Sequence, residues 1–255
     1  MHGDLLRSWS DKWTNCLEVG PPYIFPGDDL DQVENVVLHD HDEFVRSRVF
    51  ESQEKKCLHL GLLPQPYVGN PATAKVVLLS LNPGCSYGEY VYDQNDEFRS
   101  SLLANISLQW EGPFPFIFLN PAFAWHSGFA YWTQHLNELI QTVQQKCSFK
   151  SYSHALEHVS QRIACIEMVP YHSIASPALK KCALRSTQFA AQYVNQVLAS
   201  KASGGECLII ALRKADAWGE YCPEAKIHRV KNPRSASISS GNCPSWNQIV
   251  DMMLK

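Results

Sequence analysis

Three short, almost continuous apolar segments constrain the fold of this 255-residue chain more than any other feature. They are residues 75–81 (KVVLLSL), 162–169 (RIACIEMV) and 207–212 (CLIIAL). Segments of this length that are apolar on both faces are typical of strands in a parallel sheet with helices on each side. The sequence therefore predicts an α/β fold with a short, mostly parallel central sheet.

Amphipathic and polar segments around these strands predict the covering helices. We expect helices over residues 42–60, 128–146, 186–199 and 246–254, and a short fourth strand over 227–230. The proline-broken segment 113–119 is expected to be an approach segment or an edge strand. This order indicates a single three-layer domain of sheet and flanking helices. We assign the domain to residues 71–255, with residues 1–70 as an N-terminal extension packed on its core.

Composition and charge exclude several classes of protein. Hydrophobic residues make up 45% of the chain and charged residues 18%, which suits a globular core and excludes a disordered chain. The net charge of −3 means that a nucleic-acid site would need a local basic patch. No segment reaches the roughly 18 apolar residues of a membrane span, and no apolar leader follows Met1. We therefore expect a cytoplasmic protein that does not enter a membrane.

The cysteine and histidine patterns predict neither a metal nor a cofactor. The nine cysteines are odd in number and contain no C-x-x-C pair, so reduced thiols are favoured over disulfides, zinc sites or iron–sulfur clusters. The four histidines considered lack the spaced carboxylates of a metal site; they are His126, His154, His158 and His172. With no heptad pattern or exposed apolar helix, a monomer without an obligate protein partner is the default expectation.

The polar residues at the ends of the strands are the candidate site residues. Right-handed crossovers place these ends at one edge of the sheet, where ligands bind in open α/β folds. A carboxylate within an apolar strand, such as Glu167, needs a partner or a purpose, and an ion pair is the structural alternative. The candidates are Asn82, Pro83, Gly84 and Tyr87 after the first strand, Glu167, Tyr171 and His172 at the second, and Arg213 after the third. The possible ion-pair partners of Glu167 are Arg162, Arg213 and Lys214.

A basic segment before the last helix is the strongest nucleic-acid signal in the chain. Lys226, Arg229, Lys231 and Arg234 fall within nine residues and are followed by hydroxyl side chains. Such a segment can pair with phosphates, although a solvated surface loop is the alternative interpretation. The candidate DNA contacts are Lys231, Pro233, Arg234, Ser235, Ser237 and Ser239.

Together these motifs resemble the uracil-DNA glycosylase superfamily. Leu81-Asn82-Pro83-Gly84 matches the Asn-Pro-Gly turn that follows the first strand in mismatch-specific and single-strand-selective members. Asn232-Pro233-Arg234-Ser235 is similar to the closing Asn-Pro-Ser motif, with an inserted Arg. Residues 207–212 resemble the strand between these motifs, with Arg213 in place of Gly. The resemblance covers residues 71–254.

The resemblance implies a monofunctional DNA glycosylase that flips out a base and leaves an abasic site. Asn82 would position the attacking water, Asn232 would donate to the departing base, and His172 is a second possible donor. Because no Lys occupies the water position, no Schiff base is expected. The candidates for stacking on the flipped base are Tyr87 first, then Tyr90, Tyr92 and Phe98.

The base preference is expected to depend on Glu167, which stands where the family often has an Asn. An ionised Glu only accepts hydrogen bonds, so it favours the amino group of a modified cytosine over the carbonyl of uracil. Superfamily members that remove modified pyrimidines from phage DNA imply a role in anti-phage defence. Two alternatives stay open: a non-catalytic DNA- or nucleotide-binding module, and a hydrolase with Cys85 or Ser86 as nucleophile and His172 as base.

Overall fold

The computed structural model of the protein describes residues 2–29, 31, 36–52, 54–177 and 184–255. The strands in this part are β1 (Val36–Val37), β2 (Leu58–His59), β3 (Tyr67–Gly69), β4 (Val76–Ser80), β5 (Ile163–Glu167), β6 (Leu208–Ala211) and β7 (Ile227–Arg229). The helices are α1 (His2–Val19), α2 (His41–Arg46), α3 (Arg48–Ser52), α4 (Glu89–Tyr92), α5 (Asp96–Ile106), α6 (Ser127–His135), α7 (Asn137–Lys146), α8 (Tyr152–Ser160), α9 (Arg185–Tyr193), α10 (Ala199–Ser203), α11 (Ala215–Tyr221) and α12 (Trp246–Leu254). A π-helical turn over Val194–Leu198 joins α9 to α10, and two 3-10 turns cover Ile117–Leu119 and Pro121–Phe123.

The central sheet has the strand order β3-β5-β4-β6-β7. Strands β5, β4, β6 and β7 are parallel, and β3 pairs with β5 in the antiparallel sense. In the middle of the sheet, Val76 of β4 is in register with Ile163 and Leu208. All five residues of β4 are buried, as expected for a strand covered on both faces. The prediction of a mostly parallel central sheet is confirmed.

Helices lie in two groups against this sheet. In one group, α7 contacts α8 and α12, and these two contact β5, β4 and β6. In the other group, α9 contacts β5 as well as α1 and α11. The chain is therefore an α/β protein with a mostly parallel sheet flanked by helices.

The first 70 residues contribute directly to the main core. Trp9 and Trp13 of α1 are fully buried, and their rings lie 4.9 Å from Tyr67 and 4.8 Å from Phe25. Tyr67 is also the first residue of β3, so the central sheet includes chain that precedes residue 71.

Several helix boundaries differ from the sequence expectation. A single helix over 42–60 is wrong: α2 ends where Ser47 turns to an extended conformation and its hydroxyl donates to the Phe44 carbonyl, and residues 58–59 are β2. The expected helix over 128–146 is two helices, because Leu136 leaves the helical region at φ −103° and ψ 5°. Segment 113–119 contains a 3-10 turn and no strand.

Within the described residues, none of the helices combines the length and the apolar character needed to cross a membrane. Eight of the nine cysteines lie in this part of the chain, and all eight are free thiols. Cys182 lies outside the described residues.

Candidate active site

A cavity of about 440 Å³ lies at the carboxyl ends of β4, β5 and β6. This volume falls within the roughly 300–1,000 Å³ that is usual for small-molecule sites. Of the residues predicted from the sequence, the cavity gathers Asn82, Pro83, Gly84, Glu167, His172 and Arg213. The nucleophiles of the hydrolase alternative, Cys85 and Ser86, also line it, as does His126, which the sequence offered only as a metal ligand. The lining further includes residues that the sequence did not single out: Gln65, Glu89, Phe118, Ser127, Tyr131, Trp132 and Ser173.

The turns that follow β4 and β5 are hydrogen-bonded to each other and form one wall of the cavity. Because the two strands are adjacent and parallel, the chains leave the sheet side by side. The backbone N–H of Val169 donates to the Leu81 carbonyl over 2.8 Å, and that of Ser173 donates to the Pro83 carbonyl over 3.3 Å. The Asn-Pro-Gly turn is therefore held by the turn after the neighbouring strand.

Asn82 is oriented by its side-chain nitrogen. Its Nδ2 donates to the Pro83 carbonyl over 2.7 Å and to the Ser173 hydroxyl over 2.9 Å. No described residue donates to its Oδ1, and the residue lines the cavity. The side-chain oxygen can therefore accept a hydrogen bond from a water molecule or a ligand.

His172 is buried, and its ring faces carbonyl oxygens on both sides. Nδ1 lies 2.7 Å from the Gly84 carbonyl and Nε2 lies 3.1 Å from the Leu63 carbonyl. The imidazolium ring can donate both bonds, whereas the neutral ring can donate only one. The ring therefore connects the turn after β4 to the segment before β3.

The arrangement does not provide the nucleophile and base of the hydrolase alternative. The Ser86 hydroxyl donates to Glu89 over 3.0 Å, and both nitrogens of His172 are engaged with carbonyl groups. Burial raises the pKa of the Cys85 thiol, which disfavours the reactive thiolate. Within the described residues, neither side chain has the hydrogen bond to His172 that this chemistry requires.

Glu167 is almost fully buried, with 7% of its surface exposed. Its Oε1 accepts a weak bond from the Cys165 thiol over 3.6 Å, whereas Oε2 is buried and has no hydrogen-bond partner in the described structure. Burial raises the pKa of the carboxyl group to about 7, against the smaller opposing effects of the Ser80 hydroxyl, Cys165 and Arg213.

The raised pKa of Glu167 removes the assumption that this carboxyl group is ionised and only accepts hydrogen bonds from the base. Glu167 is not held ionised at neutral pH, because a group with a pKa of about 7 is protonated in a large fraction of the molecules. The protonated carboxyl donates one hydrogen bond and accepts another, as an Asn amide does. Among the described residues, Glu167 also forms no ion pair within 4 Å with Arg162, Arg213 or Lys214.

Tyr131 and Arg213 form another part of the lining. Burial raises the pKa of the Tyr131 hydroxyl, and the neighbouring Arg213 guanidinium opposes this rise. The Tyr131 ring stacks on the His135 ring at 3.9 Å, and the His135 carbonyl accepts a bond from the Ile238 N–H over 2.9 Å. This chain of contacts connects the segment before α12 to the cavity wall.

A second carboxyl group, Glu89 at the start of α4, also lines the cavity. Its Oε1 accepts bonds from the hydroxyls of Ser86 over 3.0 Å and Ser127 over 2.6 Å. His126 Nε2 lies 3.3 Å from Oε2, which is an ion-pair distance with too poor an angle for a hydrogen bond. Burial alone would raise the pKa of Glu89, but His126, His172 and Ser127 outweigh it and hold the pKa at about 2.

His126 is itself fixed in position and orientation. Its Nδ1 accepts a bond from the Gly128 N–H over 2.8 Å, and its ring stacks on Phe98 at 4.3 Å. Because Nδ1 is an acceptor, the proton of the ring lies on Nε2 and faces Glu89. One local signal accompanies this group, because Ser86-x-x-Glu89 has the spacing of a helix start, but nothing local connects it to His126.

Gln65 is a further polar residue of the lining that the sequence did not indicate. Only 5% of its surface is exposed, and its side-chain amide makes no hydrogen bond to any described residue. It precedes β3 and was assigned to the N-terminal extension. An amide in this position can donate to a bound ligand and accept from it.

Two predicted substrate-binding tyrosines lie outside the cavity. Tyr87 is 60% exposed and stacks on Phe44 at 6.1 Å. Tyr171 is only 2% exposed; its hydroxyl donates to Asp28 over 2.5 Å and accepts from the Phe25 N–H over 2.9 Å. In this structure Tyr171 is thus a core residue that supports the N-terminal segment. The other stacking candidates are also outside the lining: Tyr90 bonds His59, Phe98 packs on His126, and Tyr92 contacts Trp125.

The predicted DNA-binding segment 231–239 forms an ordered loop that does not line the cavity. Asn242 organises this loop: its Oδ1 accepts from the Asn232 N–H over 2.7 Å, and its Nδ2 donates to the Ser237 carbonyl over 2.8 Å. The Asn232 side chain accepts from the Arg234 N–H over 3.1 Å and is exposed to solvent. Lys231, Pro233, Arg234 and Ser235 are exposed, whereas Ser237 and Ser239 are half-buried. The structure thus brings Asn82, but not Asn232, into the cavity.

Compared with models of protein families, with curated proteins and with solved structures, the chain has no significant match. In the part of the chain that the structure describes, no three His, Cys, Asp or Glu side chains are arranged to hold a metal ion. The site is therefore interpreted from its own geometry.

Proposed function

We propose that this protein is a monofunctional DNA glycosylase that excises a modified pyrimidine base and leaves an abasic site. The observation that supports this best is the convergence of Asn82 and Glu167 on one cavity at the ends of two adjacent parallel strands. A modified cytosine stays the proposed base, and uracil is its competitor in the test, because a Glu167 carboxyl with a pKa of about 7 can donate to a carbonyl as well as accept from an amino group. Anti-phage defence in the cytoplasm belongs to the same proposal and rests on the resemblance to the superfamily.

The lining of the cavity supports a flat, polar-edged ligand such as a nucleobase. Phe118 and Trp132 contribute aromatic surface, so they replace the exposed Tyr87 as candidates for stacking on the base. The amide of Gln65 and the carboxyl group of Glu167 offer donors and acceptors for the base edge. Asn82 Oδ1 would hold the attacking water.

The loop 231–239 supports the DNA-binding part of the proposal. Lys231 and Arg234 are exposed on this loop, and the loop contacts α6, which lines the cavity. Basic side chains next to a base pocket can hold the phosphates that flank a flipped nucleotide. These contacts would fix the DNA without reading its sequence.

The test is the formation of abasic sites in DNAs that contain uracil, mismatched thymine, 5-hydroxymethylcytosine or glucosylated hydroxymethylcytosine. We expect release from a cytosine-type substrate by the wild type and a loss of roughly 100-fold or more in Asn82→Ala. Asn137→Ala is the matched control, because Asn137 is exposed on α7 outside the cavity. Borohydride trapping should give no covalent complex, since the proposed mechanism has no Schiff base.

The alternative is a non-catalytic DNA- or nucleotide-binding module with the same fold. It is favoured by the position of Asn232, which lies outside the cavity and so offers no donor to a departing base in this structure. DNA binding without abasic-site formation in any of the four DNAs would support this alternative and overturn the glycosylase proposal.

A further inference from the structure

Two carboxyl groups with opposite surroundings line the same cavity. Glu89 accepts two hydroxyl hydrogen bonds and faces the ring of His126, so its surroundings stabilise a negative charge. Glu167 has only a weak thiol donor on one oxygen and no partner on the other, so its surroundings favour the neutral form. Asn82, in the turn after β4, lines the same cavity.

We propose that Glu89 and Glu167 are the acid–base pair of this site. Glu167 donates a proton to the departing base. The Glu89 carboxylate stabilises the positive charge that develops on the sugar and orients the attacking water together with Asn82. The assignment rests on the proposed function, because the bond that breaks is the glycosidic bond to a base.

The directions of the two pKa shifts agree with these roles. The pKa of Glu89 is lowered to about 2, and that of Glu167 is raised to about 7. Carboxyl groups whose environments separate their pKa values in this way are typical of acid–base catalysis. A carboxylate with a pKa near 2 is a weak base, so Glu89 acts mainly through its charge.

Other titratable groups face each carboxyl group and have to be considered in any pH profile. Those near Glu167 are Cys165 on the same strand, Arg213 after β6 and Tyr131 on α6. Those near Glu89 are Cys85, His126 and His172. Both histidines favour the ionised form of Glu89.

The atoms and charges balance through the reaction. The bond between the sugar C1′ and the base nitrogen breaks, and its electron pair leaves with the base, which takes the proton of Glu167. The water oxygen bonds to C1′, and its proton passes to solvent or through Glu89. Glu167 takes up a proton from solvent for the next cycle. The net reaction adds one water molecule across the glycosidic bond.

His126 is a positioning residue in this scheme. Its ring is 2% exposed, is held by the Gly128 N–H and Phe98, and places Nε2 next to Glu89 Oε2. It contributes by keeping Glu89 charged and oriented. A readout of this role is the ionisation of Glu89 in a His126→Gln variant, in which the Glu89 carboxyl should titrate at a higher pH than in the wild type.

The experiment measures single-turnover base release from the preferred DNA between about pH 5 and pH 9. We expect the wild-type rate to fall about tenfold per pH unit above a pH of about 7, as Glu167 ionises. Glu167→Gln should lose this alkaline decrease and be slower by roughly 100-fold or more. Glu89→Gln should be slower by about 100- to 1,000-fold with the alkaline decrease unchanged.

Three controls separate the possible results. Glu220→Gln changes an exposed carboxylate of α11 outside the cavity and should behave as the wild type. Binding to DNA with a stable abasic analogue shows that a slow variant is folded. Carbon NMR of the glutamate carboxyl groups measures both ionisations directly, without any reaction.

The outcomes distinguish the two proposals. A wild type that releases no base overturns the proposed function and the acid–base roles together. An active wild type whose rate is unchanged in Glu89→Gln, or whose alkaline decrease persists in Glu167→Gln, overturns only the acid–base pair. NMR titration of Glu167 well below pH 7 would also overturn the pair.

Discussion

At the scale of single residues, the energetic cost of Glu167 depends on pH. Its folded-state pKa of about 7 lies above the ordinary value of 4.5, so the folded protein holds this proton more tightly than the unfolded chain does. Below a pH of about 4.5, Glu167 is protonated in both the folded and the unfolded chain, and its ionisation does not change the unfolding free energy. As the pH rises from about 4.5 to about 7, the unfolding free energy should decrease by about 3 kcal/mol.

Urea denaturation at a series of pH values tests this dependence. Glu167→Gln should remove the decrease, so the difference between variant and wild type should grow from pH 5 to pH 7 and then level off. Glu89 does not interfere, because its pKa of about 2 confines its contribution to the acid range. Parallel curves for variant and wild type would contradict the shifted pKa.

Tyr171 should contribute to stability rather than to substrate binding. Tyr171→Phe leaves the Phe25 N–H without a buried partner and removes one donor to Asp28, which keeps its two bonds from Ser186. The unfolding free energy should therefore fall by about 1–3 kcal/mol. The rate of base release at saturating substrate should be unchanged. Tyr87→Phe, at an exposed position, is the control and should change stability by less than about 0.5 kcal/mol. A Tyr171→Phe protein with weakened substrate binding and normal stability would restore the original prediction.

At the scale of elements, α1 behaves as part of the core. Trp13 is fully buried and touches the rings of Phe25 and Tyr171. Trp13→Ala should therefore lower the unfolding free energy by about 3–5 kcal/mol, as measured by chemical denaturation. Val19→Ala, at an exposed position of the same helix, should have little effect. An equally small effect at Trp13 would indicate an extension that is only loosely attached.

The loop 231–239 should determine how DNA binding depends on salt. Each phosphate contact that is lost reduces the slope of log binding constant against log salt by about one. Lys231→Ala with Arg234→Ala should therefore reduce the slope by about two, measured by fluorescence anisotropy with duplex DNA. Lys146→Ala with Lys150→Ala removes the same charge from another exposed region and should leave the slope unchanged. Equal effects of the two pairs would indicate binding by overall charge.

The elements that the sequence predicted well are those whose pattern is local. Strands β4, β5 and β6 appear as uninterrupted apolar runs, and α12 has a clear apolar stripe, so both kinds of element were located within a residue or two. Helix α1 was not predicted. Strand β3 was also missed, because it is only three residues long and its partner β5 lies far along the chain. The end of α2 depends on one hydroxyl group at Ser47, which composition does not reveal.

The site was predictable only in part for the same reason. Asn82, Glu167 and Arg213 follow or end recognisable strands, and parallel topology brings such positions to one edge. Glu89 and His126 meet through a tertiary contact between α4 and the turn before α6, and no local pattern marks it. Gln65 acquires its place in the cavity from the antiparallel pairing of β3 with β5.

At the scale of the whole molecule, the described thiols should be protected together. Burial raises the pKa of seven of them: Cys16, Cys57, Cys85, Cys165, Cys207, Cys222 and Cys243. Iodoacetamide at neutral pH should therefore label these thiols slowly in the native protein and fully in urea. Peptide mass spectrometry measures the labelling of each one. Rapid native labelling of Cys85 alone would bring back the hydrolase alternative.

The strand order also has a consequence for how the chain acquires its structure during synthesis. The middle strand β4 is made early, but its partners Ile163 and Leu208 emerge from the ribosome much later. Until then, the five residues of β4, which are valine, leucine and serine, have no neighbouring strand to pair with. They are therefore exposed and can associate with other chains. Pairings this distant in sequence also slow folding. We therefore expect nascent chains that end before residue 208 to bind chaperones and to be degraded readily by proteases.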